Sequence, residues 1–381
     1  MTRPPATDGE DIMIYFDSAA TTLQKPETVA QAVAQAIGSV TTPGRGDHPA
    51  ARQAADLMLQ CRTEAAELFG VGEPDNVALT LNATHGLNIA IKSLVSPGDT
   101  VVISGYEHNA VTRPLHAIGG VSVRIVNARL FDPAQMVEGF RRAVTGDVAA
   151  VICNHVSNVF GYELPVEEIA AICREKGVPL IVDASQSAGI LPVDLGRWGA
   201  AYVAMPGHKG LYGPQGTGLL LCGQGQTPKT LLEGGTGSLS RQQDMPDFLP
   251  DRLEAGTHNV HGAAGLLEGL RFVRSRGVEA IARQERELMA ALAEGIRAKA
   301  GYRVMDGAGA SGSVLSVVPL HTEPETLADR LAEQGTAVRA GLHCAPLAHL
   351  SAGTIETGTV RFSASVFNTH AEVEQVLAQL P

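Results

Sequence analysis

The stretch Ala200-Ala201-Tyr202-Val203-Ala204-Met205-Pro206-Gly207-His208-Lys209-Gly210 decides the fold. It reads as a short apolar strand, a Pro-Gly break and a His-Lys pair. A second apolar run, Val178-Pro179-Leu180-Ile181-Val182, stands upstream and ends on Asp183. Two successive strands thus deliver a carboxylate and a lysine to the end of one sheet. A lysine after a strand is, taken alone, most often a solvated surface residue. The rest of the chain decides what Lys209 is.

Outward from this stretch the pattern alternates. Strand-like runs occupy 77–81, 100–104, 121–126, 148–153, 179–182 and 201–204, with helical patterns over 84–94, near 109–118 and over 165–176. Short apolar strands separated by helices imply βαβ units and an α/β fold, with a mostly parallel central sheet covered by helices on both faces. One more strand, 216–221, follows only a short loop, which suits an antiparallel pairing. Upstream, Met13-Ile14-Tyr15-Phe16 runs into Asp17-Ser18-Ala19-Ala20-Thr21-Thr22, a tight loop of small and hydroxyl residues. A helix then starts at Pro26, with Val29, Val33 and Ile37 at helical spacing, and after a loop over 42–49 another spans about 50–68. Beyond about 260 the pattern changes to two long helices, 262–274 and 278–299. Strands at 302–305, 313–318, 336–339 and 359–362 follow, with helices at 325–334 and from 370. The expectation is a large domain over 13–262 and a smaller α+β domain over 263–381. Residues 1–12 form a loose polar arm, and 13–40 are open to sharing with the small domain.

The chain of 381 residues is 44 % hydrophobic and 18 % charged, enough to bury a sizeable core. Its net charge of −11 and its scattered Arg and Lys argue against nucleic acid and anionic membranes as partners, while leaving room for a small anion pocket. Five cysteines without a Cys-x-x-Cys suggest neither a disulfide framework nor a zinc site, and no metal is expected. The opening MTRPPATDGEDI has no apolar segment, and no stretch approaches the roughly 18 apolar residues of a membrane span. A soluble protein of the reducing cytoplasm is expected.

In open α/β sheets ligands bind beyond the carboxyl ends of the strands, so the residues after each strand are informative. Asn82-Ala83-Thr84-His85-Gly86 opens a helix whose free amides suit a phosphate, though Thr84 as a plain N-cap would look the same. Tyr106-Glu107-His108-Asn109 follows the next strand. Asn154-His155-Val156-Ser157-Asn158-Val159-Phe160-Gly161, rich in amides, follows another, and then come Asp183-Ala184-Ser185-Gln186 and Gly207-His208-Lys209. Five strands that all end in ligand-capable residues are hard to explain by packing. A lysine able to form an imine, beside a carboxylate able to keep a pyridine nitrogen protonated, is what pyridoxal phosphate requires. There is no Gly-x-x-x-x-Gly-Lys-[Ser/Thr], and no Gly-x-Gly-x-x-Gly follows the first strand, so nucleotide sites have no support. Gly234-Gly235-Thr236-Gly237-Ser238 reads equally as an anion nest or a surface loop.

These motifs resemble, in order, the class V aminotransferase family of fold-type I pyridoxal phosphate enzymes, and most of all its cysteine desulfurase and selenocysteine lyase branch. Glu254-Ala255-Gly256-Thr257, Val338-Arg339-Ala340-Gly341-Leu342-His343-Cys344-Ala345 and Thr359-Val360-Arg361-Phe362-Ser363 continue the likeness. The resemblance implies that Lys209 forms the imine to pyridoxal 5'-phosphate and later serves as acid and base at the substrate carbon. Asp183 would pair with the ring nitrogen, and His108 would stack on the ring. Gln186 and Asn158 would lie near the phenolic oxygen and substrate, and Ala83, Thr84 and His208 would hold the phosphate. Thr257 would reach the phosphate of a second subunit, in a homodimer with shared active sites. Arg361 would grip the carboxylate of a small amino-acid substrate, a task suited to a guanidinium fork, with Arg339 and His48 completing the substrate set.

One position departs from the family. Pro206 stands where a phosphate-binding Ser or Thr is usual, and it brings neither hydroxyl nor N–H. Cys344 separates the reaction types: Cys61, Cys153, Cys173 and Cys222 read as packing, while Cys344 lies in a loop with basic neighbours, as a nucleophilic thiol requires. The implied reaction is conversion of L-cysteine to L-alanine, leaving a persulfide on Cys344 for a separate sulfur-acceptor protein. A selenocysteine lyase, or a class V aminotransferase or epimerase in which Cys344 is incidental, remains the alternative.

Overall fold

The computed structural model describes residues 13–44 and 46–381; the arm expected over 1–12 lies outside them, as does Arg45 within the 42–49 loop. The central sheet comes first from the strand sequences. After β1 (Ile14–Tyr15), seven strands form it: β2 (Val77–Thr80), β3 (Thr100–Ser104), β4 (Ser122–Val126), β5 (Val148–Asn154), β6 (Leu180–Asp183), β7 (Tyr202–Pro206) and β8 (Gly218–Cys222). They lie in the order β2-β8-β7-β6-β5-β3-β4. β8 runs antiparallel to both its neighbours, as its short preceding loop suggests, and the other pairings are parallel. The inner strands are apolar up to their carboxyl ends because both faces are covered. Period-two alternation divides them between two cores. Val151, Cys153, Val182, Val203, Met205, Leu219 and Leu221 pack on one face. Ala150, Ile152, Ile181, Tyr202, Ala204, Leu220 and Cys222 pack on the other.

The strand order also places the site. From β3 the chain steps outward to β4, returns past β3 to β5, and then proceeds the opposite way through β6 and β7. The crevice of such a sheet opens at the carboxyl ends where the direction reverses. Those ends carry Glu107-His108 after β3 and Asn154 at the end of β5.

The smaller unit holds a four-stranded antiparallel sheet of β9 (Tyr302–Met305), β10 (Val314–Pro319), β12 (Arg339–Gly341) and β13 (Thr359–Ser363), ordered β12-β13-β10-β9. The single strand expected over 336–339 is in fact two. Thr336–Ala337 forms β11 and pairs in parallel with β1, while β12 belongs to the other sheet. Residue patterning shows that a strand exists but not which partner it takes. Ile14 and Phe16 accordingly pack with Leu288, Leu292, Leu315, Val317 and Phe362. The helix Pro133–Ala143, absent from the sequence reading, does carry a start signal: Asp132 caps it by accepting from Gln135 N, and Pro133 opens it.

Glu254, in one of the quoted motifs, has a structural task. It takes a two-point contact from Arg62 (2.6 and 2.7 Å) and the amide of Leu79 (2.7 Å), and both side chains are buried. Glu254→Ala would strand the Arg62 guanidinium and is expected to lower unfolding stability by about 3–5 kcal/mol, measured by chemical denaturation. The double variant Arg62→Met/Glu254→Leu, which removes both charges, should recover most of that loss.

Candidate active site

Eight of the residues read from the sequence line one cavity: Ala83, Thr84, His108, Asn158, Asp183, Gln186, His208 and Lys209. Five strand ends, those of β2, β3, β5, β6 and β7, deliver them. The helix Ala83–Leu94 starts at the cavity with Asn82 as its cap, the side chain accepting from His85 N. The N–H groups of Ala83 and Thr84 precede the first helical hydrogen bond and have no acceptor among the described residues. His108 caps the next helix, Asn109–Ile118, its Nδ1 accepting from Ala110 N at 3.0 Å. That bond leaves the ring proton on Nε2. Burial lowers the His108 pKa, opposed by nearby Asp183, so the ring is favoured in its neutral form.

Asp183 ends β6 and is 4 % exposed. Its Oδ1 accepts from Ser185 N (2.9 Å) and Ser185 Oγ (2.5 Å), while Oδ2 has no hydrogen bond from the described residues. Glu107, directly before His108, is wholly buried. Its Oε1 accepts from the Ser104 hydroxyl and from Asn154 N at 2.9 Å, joining the ends of β3 and β5. Burial pushes the Glu107 carboxyl up to about 8.

Lys209 leaves β7 through Pro206-Gly207-His208. The turn is close-packed: a Cβ on Gly207 would lie 2.1 Å from Thr217 Oγ1. Burial first, then the Arg361 charge, brings the Lys209 pKa down to about 8, with Asp183 opposing. The lysine loop is buttressed by residues whose role the sequence did not reveal. The carbonyl of His208 accepts from Thr22 N (3.1 Å), Thr22 Oγ1 (3.1 Å), Thr21 Oγ1 (3.2 Å) and Lys25 Nζ (3.0 Å). Thr21 and Thr22 stood in a quoted motif, but nothing in the sequence marked Lys25. Burial, with Lys209 and Lys25 nearby, lowers the His208 pKa to about 4.

Arg361, on β13, is 1 % exposed. It donates from Nη2 to Asp17 Oδ1 (2.6 Å) and from Nη1 to the Asn158 carbonyl (3.0 Å), and its Nε has no partner. The fork expected to grip a substrate carboxylate is thus already partly engaged. Cys344 is exposed, whereas the other four cysteines are buried. Arg339 Nη2 stands 3.8 Å from its Sγ. Arg339, Cys344 and Arg361 do not line this cavity, and neither do two further expected residues. His48 is an exposed cap of the helix Pro49–Leu68, accepting from Ala51 N at 3.3 Å, and does not line the cavity. Thr257 lines a separate cavity with Leu81, Leu232 and Asn259.

A family model for class V aminotransferases matches residues 14–376. The chain belongs to the class V aminotransferase family. Within that family its likenesses fall in the cysteine desulfurase branch. A probable cysteine desulfurase of Mycolicibacterium paratuberculosis is 31 % identical over 96 % of this chain and 54 % of its own length. The chain therefore spans about half of that relative. One of Xylella fastidiosa is 31 % identical over 97 % of this chain and 90 % of its own length. The apo structure of a cysteine desulfurase from Thermococcus onnurineus NA1 superposes with a TM-score of 0.88 at 28 % identity, covering 96 % of this chain and 93 % of that one. The family's cofactor fits the residues present. An unpartnered carboxylate oxygen suits a ring nitrogen, two free helix amides suit a phosphate, and a lysine with a lowered pKa suits an aldehyde.

Among the described residues no cluster of His, Cys, Asp and Glu could hold a metal ion. Among the same residues no helix is long and apolar enough to cross a membrane.

Proposed function

We propose that this chain is a pyridoxal phosphate-dependent cysteine desulfurase, working as a homodimer in the cytoplasm and passing sulfur to an acceptor protein. The observation that carries the reading is the exposed Cys344 on a loop tied to Asn158, which lines the cavity, and to Asn109, the neighbour of cavity-lining His108. The Cys344 carbonyl accepts from Asn109 N at 2.9 Å, and the preceding carbonyl accepts from Asn158 Nδ2 at 2.8 Å.

Lys209 would hold the cofactor covalently, Asp183 its ring nitrogen, and the Ala83 and Thr84 amides with His208 its phosphate. Pro206 lines the same cavity and offers no hydroxyl, so these donors would carry the phosphate without it. When bound, the cofactor supplies an electron sink for the pair released at the substrate Cα. Lys209, once freed, takes the α-proton. The Cys344 thiolate then attacks the substrate sulfur: a new S–S bond forms, the Cβ–S bond breaks, and its electron pair stays with carbon. That carbon is reduced and, after protonation, leaves as the methyl group of alanine. The transferred sulfur is oxidised to the persulfide level, so the step itself needs no outside oxidant. Arg361 and Arg339 would orient the carboxylate. Thr257, away from this cavity, would serve the phosphate of the second subunit.

Purified protein with L-cysteine and a reducing thiol is expected to yield alanine and sulfide in equal amounts. Alanine absent from the products would overturn the reading. Turnover of L-selenocysteine alone, with none of L-cysteine, would reassign the enzyme as a selenocysteine lyase.

A further inference from the structure

The cysteine loop is held in an unfavourable backbone conformation. His343 and Cys344 both have positive φ, 50° and 59°. Two consecutive side chains in the left-handed region are uncommon, since Cβ crowds the following carbonyl. Such a pair persists only when its surroundings fix it. Three ties do so. Asn109 N donates to the Cys344 carbonyl, and the His343 ring meets Thr359 O (3.2 Å) and Oγ1 (3.1 Å). The third, Asn158 Nδ2 to the His343 carbonyl, is made by a side chain that lines the cavity.

Asn158 is itself firmly placed. Its carbonyl accepts from Arg361, and the next carbonyl, of Val159, accepts from Ser316 Oγ at 2.6 Å. The turn closes through Gly161 N to Ser157 O at 2.9 Å. A Cβ on Gly161 would lie 2.6 Å from the Val314 carbonyl, so only glycine lets the two main chains pack this closely. Asn158 Oδ1 is buried without a partner.

We propose that Asn158 is a positioning residue for Cys344: its amide keeps the His343–Cys344 pair left-handed and so sets where the thiol stands relative to the cavity. This extends the reading of Cys344 as the reacting thiol, but the loop's conformation can be measured whether or not desulfuration occurs. Only one of the five cysteines is exposed, so the first thiol to react with iodoacetamide in the native full-length protein reports on Cys344.

The test compares first-thiol alkylation rates of the purified full chain and its variants, with bound cofactor followed by visible absorbance. Asn158→Ala removes the donor. Asn158→Asp removes it too while keeping the side chain's shape, and covers the case in which the alanine variant folds poorly. Both are expected to alkylate about tenfold faster, the weight of one buried hydrogen bond in a two-conformation equilibrium. Thr359→Val loosens the same loop through the His343 ring without altering a residue that lines the cavity, and should shift the rate the same way by less. An unchanged or slower rate in both Asn158 variants, with the Thr359 variant accelerated, would overturn the proposal.

Discussion

Cys344→Ala is expected to lower sulfide release from L-cysteine by on the order of 10³-fold or more while leaving the visible spectrum of the cofactor-loaded protein unchanged. No other cysteine can substitute. Cys61, Cys173 and Cys222 are buried, and burial pushes each thiol up to about 12; burial raises the Cys153 thiol well above its ordinary range too. A thiolate, not a thiol, is the nucleophile, so these four stay inert at neutral pH. Cys344 alone is exposed, with the Arg339 guanidinium 3.8 Å from its sulfur. The separation of effects follows from geometry. The residues assigned to the cofactor come from the strand ends of the central sheet, while Cys344 follows β12 of the smaller one. Removing its sulfur leaves Lys209, Asp183 and the helix amides in place. Sulfide release undiminished in Cys344→Ala would return this cysteine to a structural role and favour an aminotransferase or epimerase reading.

The strand ends were legible because each inner strand is short, apolar and bounded by turn residues. The residue after each could therefore be read directly, from Asn82 through His108, Asn158 and Asp183 to Lys209. No local pattern marks a contact that joins distant parts of the chain. The resemblance assigns Arg361 to the substrate carboxylate, and the fold also sets it on Asp17, 344 positions away in sequence. Lys25 looked like one polar residue before a helix, and only the folded chain sets it on the His208 carbonyl. The split between β11 and β12 was hidden for a related reason. Alternation marks an extended backbone, but the choice of sheet depends on β1 and β13, which lie elsewhere in the sequence. Glu285 differs, because its place on the apolar stripe of the helix Val278–Arg297, between Ile281 and Leu288, already marks it as a buried charge; it is 1 % exposed, its pKa is pushed up to about 8 by burial, and it lines a second small cavity that also touches Lys209.

Lys209→Ala is expected to abolish the visible absorbance of the bound cofactor and to reduce turnover by about 10²–10⁴-fold, the usual weight of a positioned acid–base group. The wild-type lysine makes a further, quantitative forecast. Its pKa is lowered to about 8, chiefly by burial and then by Arg361. Desolvation disfavours the charged ammonium, so the neutral amine that attacks an aldehyde forms at lower pH. At pH 7 about a tenth of the protein should carry neutral Lys209, roughly two to three hundredfold more than an unperturbed lysine titrating near 10.4. The rate at which cofactor-stripped protein recaptures pyridoxal phosphate should therefore rise with pH, pass its midpoint at about 8 and flatten above. Stopped-flow absorbance across pH 6–10 reads this directly. A midpoint near that of free lysine would mean that neither burial nor Arg361 acts on the amine, and that the cavity around Lys209 is open to water.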